Sequence, residues 1–248
     1  IDKATWETNP KFNYSGAIYD ANWENIVGFY DNETDNYRQN HYQLLWEQEL
    51  NDRWNLETTI HYTKGKGYYE NYKQDAKFSK YNLPNIFQNG TDIKKTDFIR
   101  KKWLDNDFYG VVSTLYGKFE NLDLNFGLVG NQYYGRHFGN VTGVYFPQID
   151  EHEYYRNRSV KNEVAGFAKF IVTKNRFEFF GDLQLRNITY DATIAQQGDE
   201  EGVKLDKKGT FFNPKAGINY KIPEGKIFIS AAIAHREPNR DDLFANPQ

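Results

Sequence analysis

An antiparallel, up-and-down transmembrane β-barrel, all-β and present in part, is the fold that three features of this sequence predict. Apolar and polar residues alternate strictly over long stretches, the mark of strands with one oily face and one wet face. The links between those stretches alternate as well, short then long, as in a barrel with short turns at one rim and long loops at the other. The composition is polar on average yet 17% aromatic, with 19 Tyr and 19 Phe in 248 residues. That mixture suits strands that meet water on one side and carry aromatic girdles at the membrane edges.

Residues 1–36 lack periodicity and carry Asn, Asp, Gly and Pro. A long loop is expected there, with a short strand at Tyr14 to Tyr19. Alternation begins at Tyr37. Tyr42, Leu44, Trp46 and Leu50 form one face, and His41, Gln43, Glu47 and Glu49 the other. After a turn at Asn51 to Arg53, Trp54, Leu56, Ile60 and Tyr62 stand against Asn55, Glu57, Thr59 and His61. Pairing Leu50 with Trp54 keeps the oily faces together; it sets His41 opposite Thr63 and Glu47 nearly opposite Glu57. A long polar segment follows from about Asn71 to Leu104.

The pattern is clearest from Asp105 to Gly135. Apolar residues fall on odd positions in Tyr109, Val111, Leu115 and Phe119, then on even positions after the Glu120-Asn121 turn, in Leu122, Leu124, Phe126 and Leu128. A two-residue turn pairs Phe119 with Leu122 and Leu115 with Phe126, so both strands share one oily face. A second long segment, Arg136 to Arg158, precedes Val164, Ala168, Phe170 and Val172. A turn at Thr173 to Arg176 leads to Phe177, Phe179, Leu183 and Leu185, with Glu178, Asp182, Gln184 and Arg186 on the opposite side. A third long segment runs from Ala195 to Gly209. The last hairpin has Ala216, Ile218, Tyr220 and Ile222, a Pro223 to Lys226 turn, then Ile227, Ile229, Ala231 and Ile233. Eight strands of ~10–17 residues are expected, against the ~5–6 usual in soluble sheets. Crossing a bilayer takes ~9–11 residues, so these strands project beyond it on the side of the long segments.

The formal net charge of −3 gives no bulk attraction for nucleic acid. The absence of Cys removes disulfides, thiolate metal sites and cysteine nucleophiles. No apolar run approaches the ~18–20 residues of a membrane helix. The chain opens at Ile1 without a basic n-region or an apolar h-region, so a mature chain or a piece of something longer is expected. Glu47 and Glu57 share the inward face, where like charges repel and a dry sandwich core would not hold them; a watery or plug-filled lumen would, with Lys or Arg partners from elsewhere. Two alternatives stay open on these grounds: a soluble, Tyr-rich β-module that binds carbohydrate, and a small closed eight-stranded barrel acting as a pore or adhesin.

Five runs carry a resemblance: Gly28 to Gln43, His61 to Tyr72, Lys101 to Gly110, Tyr133 to Gly139 and Ala234 to Asp242. In this order they resemble the barrel of TonB-dependent outer-membrane receptors of the Bacteroidetes type, over nearly the whole chain. The resemblance implies a barrel of about 22 strands around an N-terminal plug domain, set in outer-membrane lipid. It implies uptake of a small, scarce nutrient, such as a ferric siderophore or other iron chelate, a vitamin or a glycan. It also implies energy supplied by the inner-membrane TonB complex through an N-terminal segment. Eight strands are too few for such a barrel, and neither a plug nor an energy-coupling box is present. The end, Leu243 to Gln248, falls in what would be an outer loop. The chain is therefore expected to be a central-to-late segment, residues 1–248 forming one part of a larger receptor whose plug and flanking strands lie elsewhere.

No enzyme is expected, because no nucleophile–base pair or metal constellation emerges, and no cofactor is called for. His41 and His61 lie on neighbouring inward positions, His137 and His152 in one outer loop, and none has metal-site spacing. Asp199-Glu200-Glu201 reads as a solvated loop tip. Gly65-Lys66-Gly67 lacks the spacing of a phosphate loop and leads from a strand into a loop. Arg236-Glu237-Pro238 reads as an ion-paired strand terminus. The aromatic clusters at the outer strand ends are the candidate ligand site: Tyr68 and Tyr69; Tyr133 and Tyr134 with Arg136 and His137; Tyr155 with Arg156. They would form either a vestibule in which rings and guanidinium groups grip a planar or anionic ligand, or an interfacial girdle with loop packing.

Overall fold

The computed structural model describes residues 2–10, 12, 16–32, 35–195 and 202–238. Period-two patterning becomes one eight-stranded antiparallel sheet. Before it lie a short helix, α1 (Lys3–Thr8), and a small hairpin of β1 (Ala17–Tyr19) and β2 (Ile26–Phe29). The sheet opens with β3 (Asp35–Asn51) and β4 (Trp54–Lys77). A second small hairpin, β5 (Ile86–Gln88) and β6 (Thr91–Ile93), stands in the link to β7 (Lys95–Lys118). The sheet continues with β8 (Leu122–Gly143), β9 (His152–Lys174), β10 (Phe177–Ile194), β11 (Val203–Ile222) and β12 (Gly225–Ala232). Each of these strands pairs with its neighbour in chain order, β4 with β7 across the small hairpin. Among the described residues β3 pairs only with β4 and β12 only with β11. The sheet is thus an open arc, which excludes a small barrel closed on eight strands.

The predicted registers hold where the alternation was clear. Leu115 pairs with Phe126, His41 with Thr63 and Glu47 with Glu57, and the Phe119 amide donates to the Leu122 carbonyl. The first turn differs in detail. The register shifts after Glu49, so Asn51 rather than Leu50 faces Trp54. The Asn51 side chain causes this, accepting from the Arg53 and Trp54 amides and so closing a side-chain turn of its own. No Lys or Arg pairs with Glu47 or Glu57 among the described residues; Asn55 donates to Glu47 instead (2.9 Å).

The long segments are mostly strand. From β3 to β11 the strands of the large sheet run from 17 to 24 residues, so Asn71 to Leu104, Arg136 to Arg158 and the described part of Ala195 to Gly209 contribute chiefly strand ends. His137 and His152 lie on β8 and β9, not in a loop, and Gly65 to Gly67 lie inside β4. Arg236 to Pro238 lie past the end of β12; Glu237 does pair with a cation, Lys161. In residues 1–36, α1 is a feature the periodicity missed, capped by the Asp2 carboxylate on the Thr5 amide. Tyr14, the Asp199-Glu200-Glu201 tip and the end from Leu243 to Gln248 lie outside the described residues.

One face of the arc is apolar and bare. Leu128 is 68% exposed and Ile229 72%, and Phe126 and Leu183 are exposed beside them. Among the described residues no second sheet covers them as one would in a sandwich, and an apolar face of this extent needs a non-aqueous cover. On β4 the band runs from Trp54 to Tyr62, and along β7 from Tyr109 to Phe119 just past its end, close to the ~9–11 residues of a membrane-crossing strand. Rings mark both edges: Trp54 against Phe119 (5.7 Å) and Phe177 against Tyr220 (4.9 Å) near the short turns, Tyr42 on Tyr62 (6.0 Å) at the other side. There the band ends in a hydrogen-bonded polar row, Tyr109 to Gln132 to Asn162 to Thr189, across four strands. Among the described residues no helix is long and apolar enough to cross a membrane.

The segment before β3 packs on the outer end of β4. Tyr30 stacks on Tyr72 (5.8 Å) and donates to Glu70, which Asn32 also contacts (2.8 Å). Partial burial, then that bond to a carboxylate, pushes the Tyr30 phenol up to about 12. Its folded pKa lies above the unfolded value, so the contact is fully present below pH ~10 and is lost as pH rises through about 12. The difference ultraviolet titration between the parent and Tyr30→Phe should show one phenol ionising near 12; one ionising near 10 would refute the contact. In bilayers, Leu128→Arg should cost ~2–4 kcal/mol of stability, measured by denaturant unfolding, whereas Asn125→Arg on the polar face should cost far less.

Candidate functional site

The polar face carries the candidate site. From the outer edge of the lipid band upward, five strands line a hollow of about 770 Å³. β3 brings Tyr37 and His41, β4 His61, β7 Phe108, β8 Asn131 and Tyr133, and β9 Lys161 and Glu163. Alternation places them: each takes the inward parity of its strand, opposite to that of the lipid band. The imidazoles are held rather than loose. His61 Nε2 donates to Asn131 Oδ1 (3.0 Å) and its ring lies against Phe108 (4.8 Å). A His41 ring nitrogen is 3.0 Å from the Thr63 hydroxyl.

Two glycines make this arrangement fit. A Cβ at Gly110 would lie 2.2 Å from Asn131 Oδ1 and 2.9 Å from His61 Nε2, on the bond between them. A Cβ at Gly65 would fall 2.0 Å from the Tyr37 hydroxyl. At one side of the hollow Glu163 accepts from Arg186 (2.8 Å) and Lys161 pairs with Glu237. The surface therefore offers imidazole, amide, phenol and balanced charge, the mixture that binds a polar ligand by many directed contacts. Among the described residues no three His, Asp or Glu side chains gather as metal ligands.

Beyond the hollow, the link between β4 and β7 folds back over the same face. Phe78 and Tyr81 form a 3₁₀ turn and pack with Phe98, Val141, Ile149, Tyr154 and Tyr155 into the one buried apolar cluster of the described residues. A bulge makes this possible. Gly139 pairs with Tyr155 and Asn140 with Glu153, so Tyr154 is the extra residue and joins Tyr155 in the same cluster. His152 donates from its ring to the Tyr81 carbonyl (3.0 Å), and Asn82 donates to that of Tyr154 (2.8 Å). Burial holds the Tyr81 phenol above its ordinary range.

The predicted site residues divide between the two faces. Tyr69, Tyr133, His137 and Tyr155 lie on the polar face by register. Of these, Tyr133 lines the hollow, and Tyr155 is spent in the buried cluster. Tyr68, Tyr134, Arg136 and Arg156 take the opposite parity and share the face of the lipid band. Arg136 pairs there with Asp105 (2.9 Å) and Asp107 (2.7 Å), Arg156 with Glu153 (2.5 Å), and Tyr68 packs on Trp103 (4.4 Å). Adjacent residues on a strand point to opposite sides, so Tyr68 is split from Tyr69 and Tyr133 from Tyr134, whereas the bulge keeps Tyr154 and Tyr155 together. The sequence reading missed Tyr37, Phe108 and Asn131, whose inward parity was its available signal, and missed Phe78 and Tyr81, two rings spaced three apart in a polar segment.

Phe78→Ala should cost ~3–5 kcal/mol to the buried cluster. Hydrogen exchange should then speed up in residues 78–94 and 152–156 while residues 54–62 keep their protection; equal protection throughout would contradict the packing.

The family model described as TonB dependent receptor-like, beta-barrel matches residues 2–248. Among solved structures, the crystal structure of the ferric-catecholate import receptor Fiu from E. coli K12, closed form, aligns with a TM-score of 0.54 and 16% identity. The alignment covers 88% of this chain and 37% of that one, so the chain spans just over a third of that receptor's length. At this identity the likeness is one of fold. No curated protein sequence matches the chain.

Proposed function

Because the chain belongs to the TonB-dependent receptor-like β-barrel family, a class of outer-membrane transport receptors rather than enzymes, we propose that it forms one arc of an energy-coupled importer of a scarce, polar nutrient. In this reading residues 1–248 are a single barrel segment, and the polar face lines the lumen around a plug domain carried by another part of the receptor. The TonB complex acts on that other part, and the outer strand ends guide the ligand inward. The carrying observation is the hollow at Tyr37, His41, His61, Asn131 and Tyr133, a preformed polar surface on the face turned away from lipid. The solved neighbour is a ferric-catecholate import receptor, which favours an iron chelate among the nutrient classes; the phenols suit a planar ligand.

In the complete receptor, Tyr133→Ala combined with His61→Ala should weaken ligand binding about tenfold or more and slow uptake, while the lipid-facing Leu183→Ala should leave both near parent values. The measurement is uptake of labelled ferric chelates, vitamins and oligosaccharides by cells that carry each variant as their only such receptor. Uptake of every class at parent rate in the double variant would remove this face from the ligand path.

A further inference from the structure

The apolar face does not turn neutral above its aromatic edge. Arg38 stands opposite Lys66, Lys66 opposite Asp105, Asp105 opposite Arg136, and Arg136 opposite Arg158. This single row crosses five strands with four cations and one acid. Its side is fixed by contacts. Tyr62, stacked on Tyr42 at the edge of the lipid band, donates to Asp107 (2.7 Å), and Asp107 in turn holds Lys64 (3.0 Å) and Arg136 (2.7 Å). Just above, rings lie side by side along the wall. Arg156 covers Phe138 at 4.2 Å, Phe138 stacks on Trp103 at 5.7 Å, and Lys66 lies 5.7 Å from the Trp103 centroid.

Two of the cross-strand pairs, Arg38 with Lys66 and Arg136 with Arg158, set like charge against like charge, an arrangement that is unfavourable by itself. Arg136 is answered by Asp105 and Asp107. Arg38, Lys66 and Arg158 are exposed, and among the described residues none of them forms an ion pair with a carboxylate. From Tyr62 to Lys66 the strand climbs ~10 Å at ordinary rise and tilt. The long stems of Arg and Lys reach back from there toward the top of the hydrocarbon.

The geometry points to a lipid-binding site: the row Arg38, Lys66, Arg136 and Arg158 takes the phosphates of anionic lipid headgroups in the leaflet beside it. Two observations select that occupant. The row is continuous with the lipid-facing band, and its excess cations lie at the depth where headgroup phosphates sit. An anion between Arg38 and Lys66, and another beside Arg158, gives these three exposed cations the counter-charge that no carboxylate supplies. The site rests on the membrane-crossing reading of the sheet alone and not on what the lumen carries, so it can fail while nutrient import stands.

The test uses the complete receptor in vesicles of phosphatidylcholine, with and without phosphatidylglycerol as the anionic probe. Thermal unfolding and anionic lipid retained after detergent extraction are measured for the parent, Lys66→Gln with Arg158→Gln, Arg38→Gln alone, and the polar-face control Lys169→Gln. Phosphatidylglycerol should raise the midpoint of the parent and the control. The double variant should lose most of that rise, its affinity for the anionic lipid falling about fivefold per charge removed. In neutral vesicles it should be as stable as the parent or more so. Arg38→Gln should show a smaller loss, and serves as the measure should the double variant fail to insert. Inorganic phosphate added to neutral vesicles should change nothing. Equal gains in the parent and all outward-face variants, or the same gain from inorganic phosphate, would overturn the proposal.

Discussion

Every backbone N–H and C=O that passes through hydrocarbon must find its partner in protein, because no water is there to take its place. In this chain the neighbouring strand of the large sheet supplies it, rung after rung, between the open edges at β3 and β12. That constraint fixes the registers, and the registers fix everything else. Once Leu115 faces Phe126 and His41 faces Thr63, period two decides which side chains meet lipid and which meet the interior. The two faces then carry different chemistry with no further instruction from the sequence.

Hydrophobic burial in the ordinary sense contributes little to this architecture. The large apolar side chains of the crossing strands are mostly exposed, and lipid does for them what a core does elsewhere. The one packed apolar cluster sits at the far end, where Phe78 and Tyr81 meet Phe98, Val141, Tyr154 and Tyr155. It anchors a link that bilayer contact could not hold. Order in the outer part thus comes from aromatic packing, a bulge and ion pairs, and order in the crossing part from backbone pairing.

This division explains how much was legible in the sequence. Where one face meets lipid and the other water, alternation is strict, and the hairpins from Tyr37 to Tyr62 and from Asp105 to Gly135 could be paired residue by residue. Past the membrane both faces are wet and the alternation fades, so the ends of β4, β7, β8 and β9 read as loop although they remain strand. The candidate site suffered from the same cause. Tyr133 was found, but Tyr68, Tyr134, Arg136 and Arg156 were grouped with it by proximity in sequence when parity puts them on the other side. The Phe78 cluster depends on contacts between residues far apart in the chain, and α1 is only six residues long, too short for a periodic signal.

The overshoot of β4 has a consequence for how a solute arrives. From Tyr62 to its end at Lys77, at ordinary rise and tilt, this strand stands roughly 35–40 Å clear of the hydrocarbon, more than the thickness of the oily layer itself. Under the import function proposed above, such a parapet, stiffened by strand pairing, turns the last stage of approach from a search over a plane into passage down a shaft. Capture and delivery are then separated in depth.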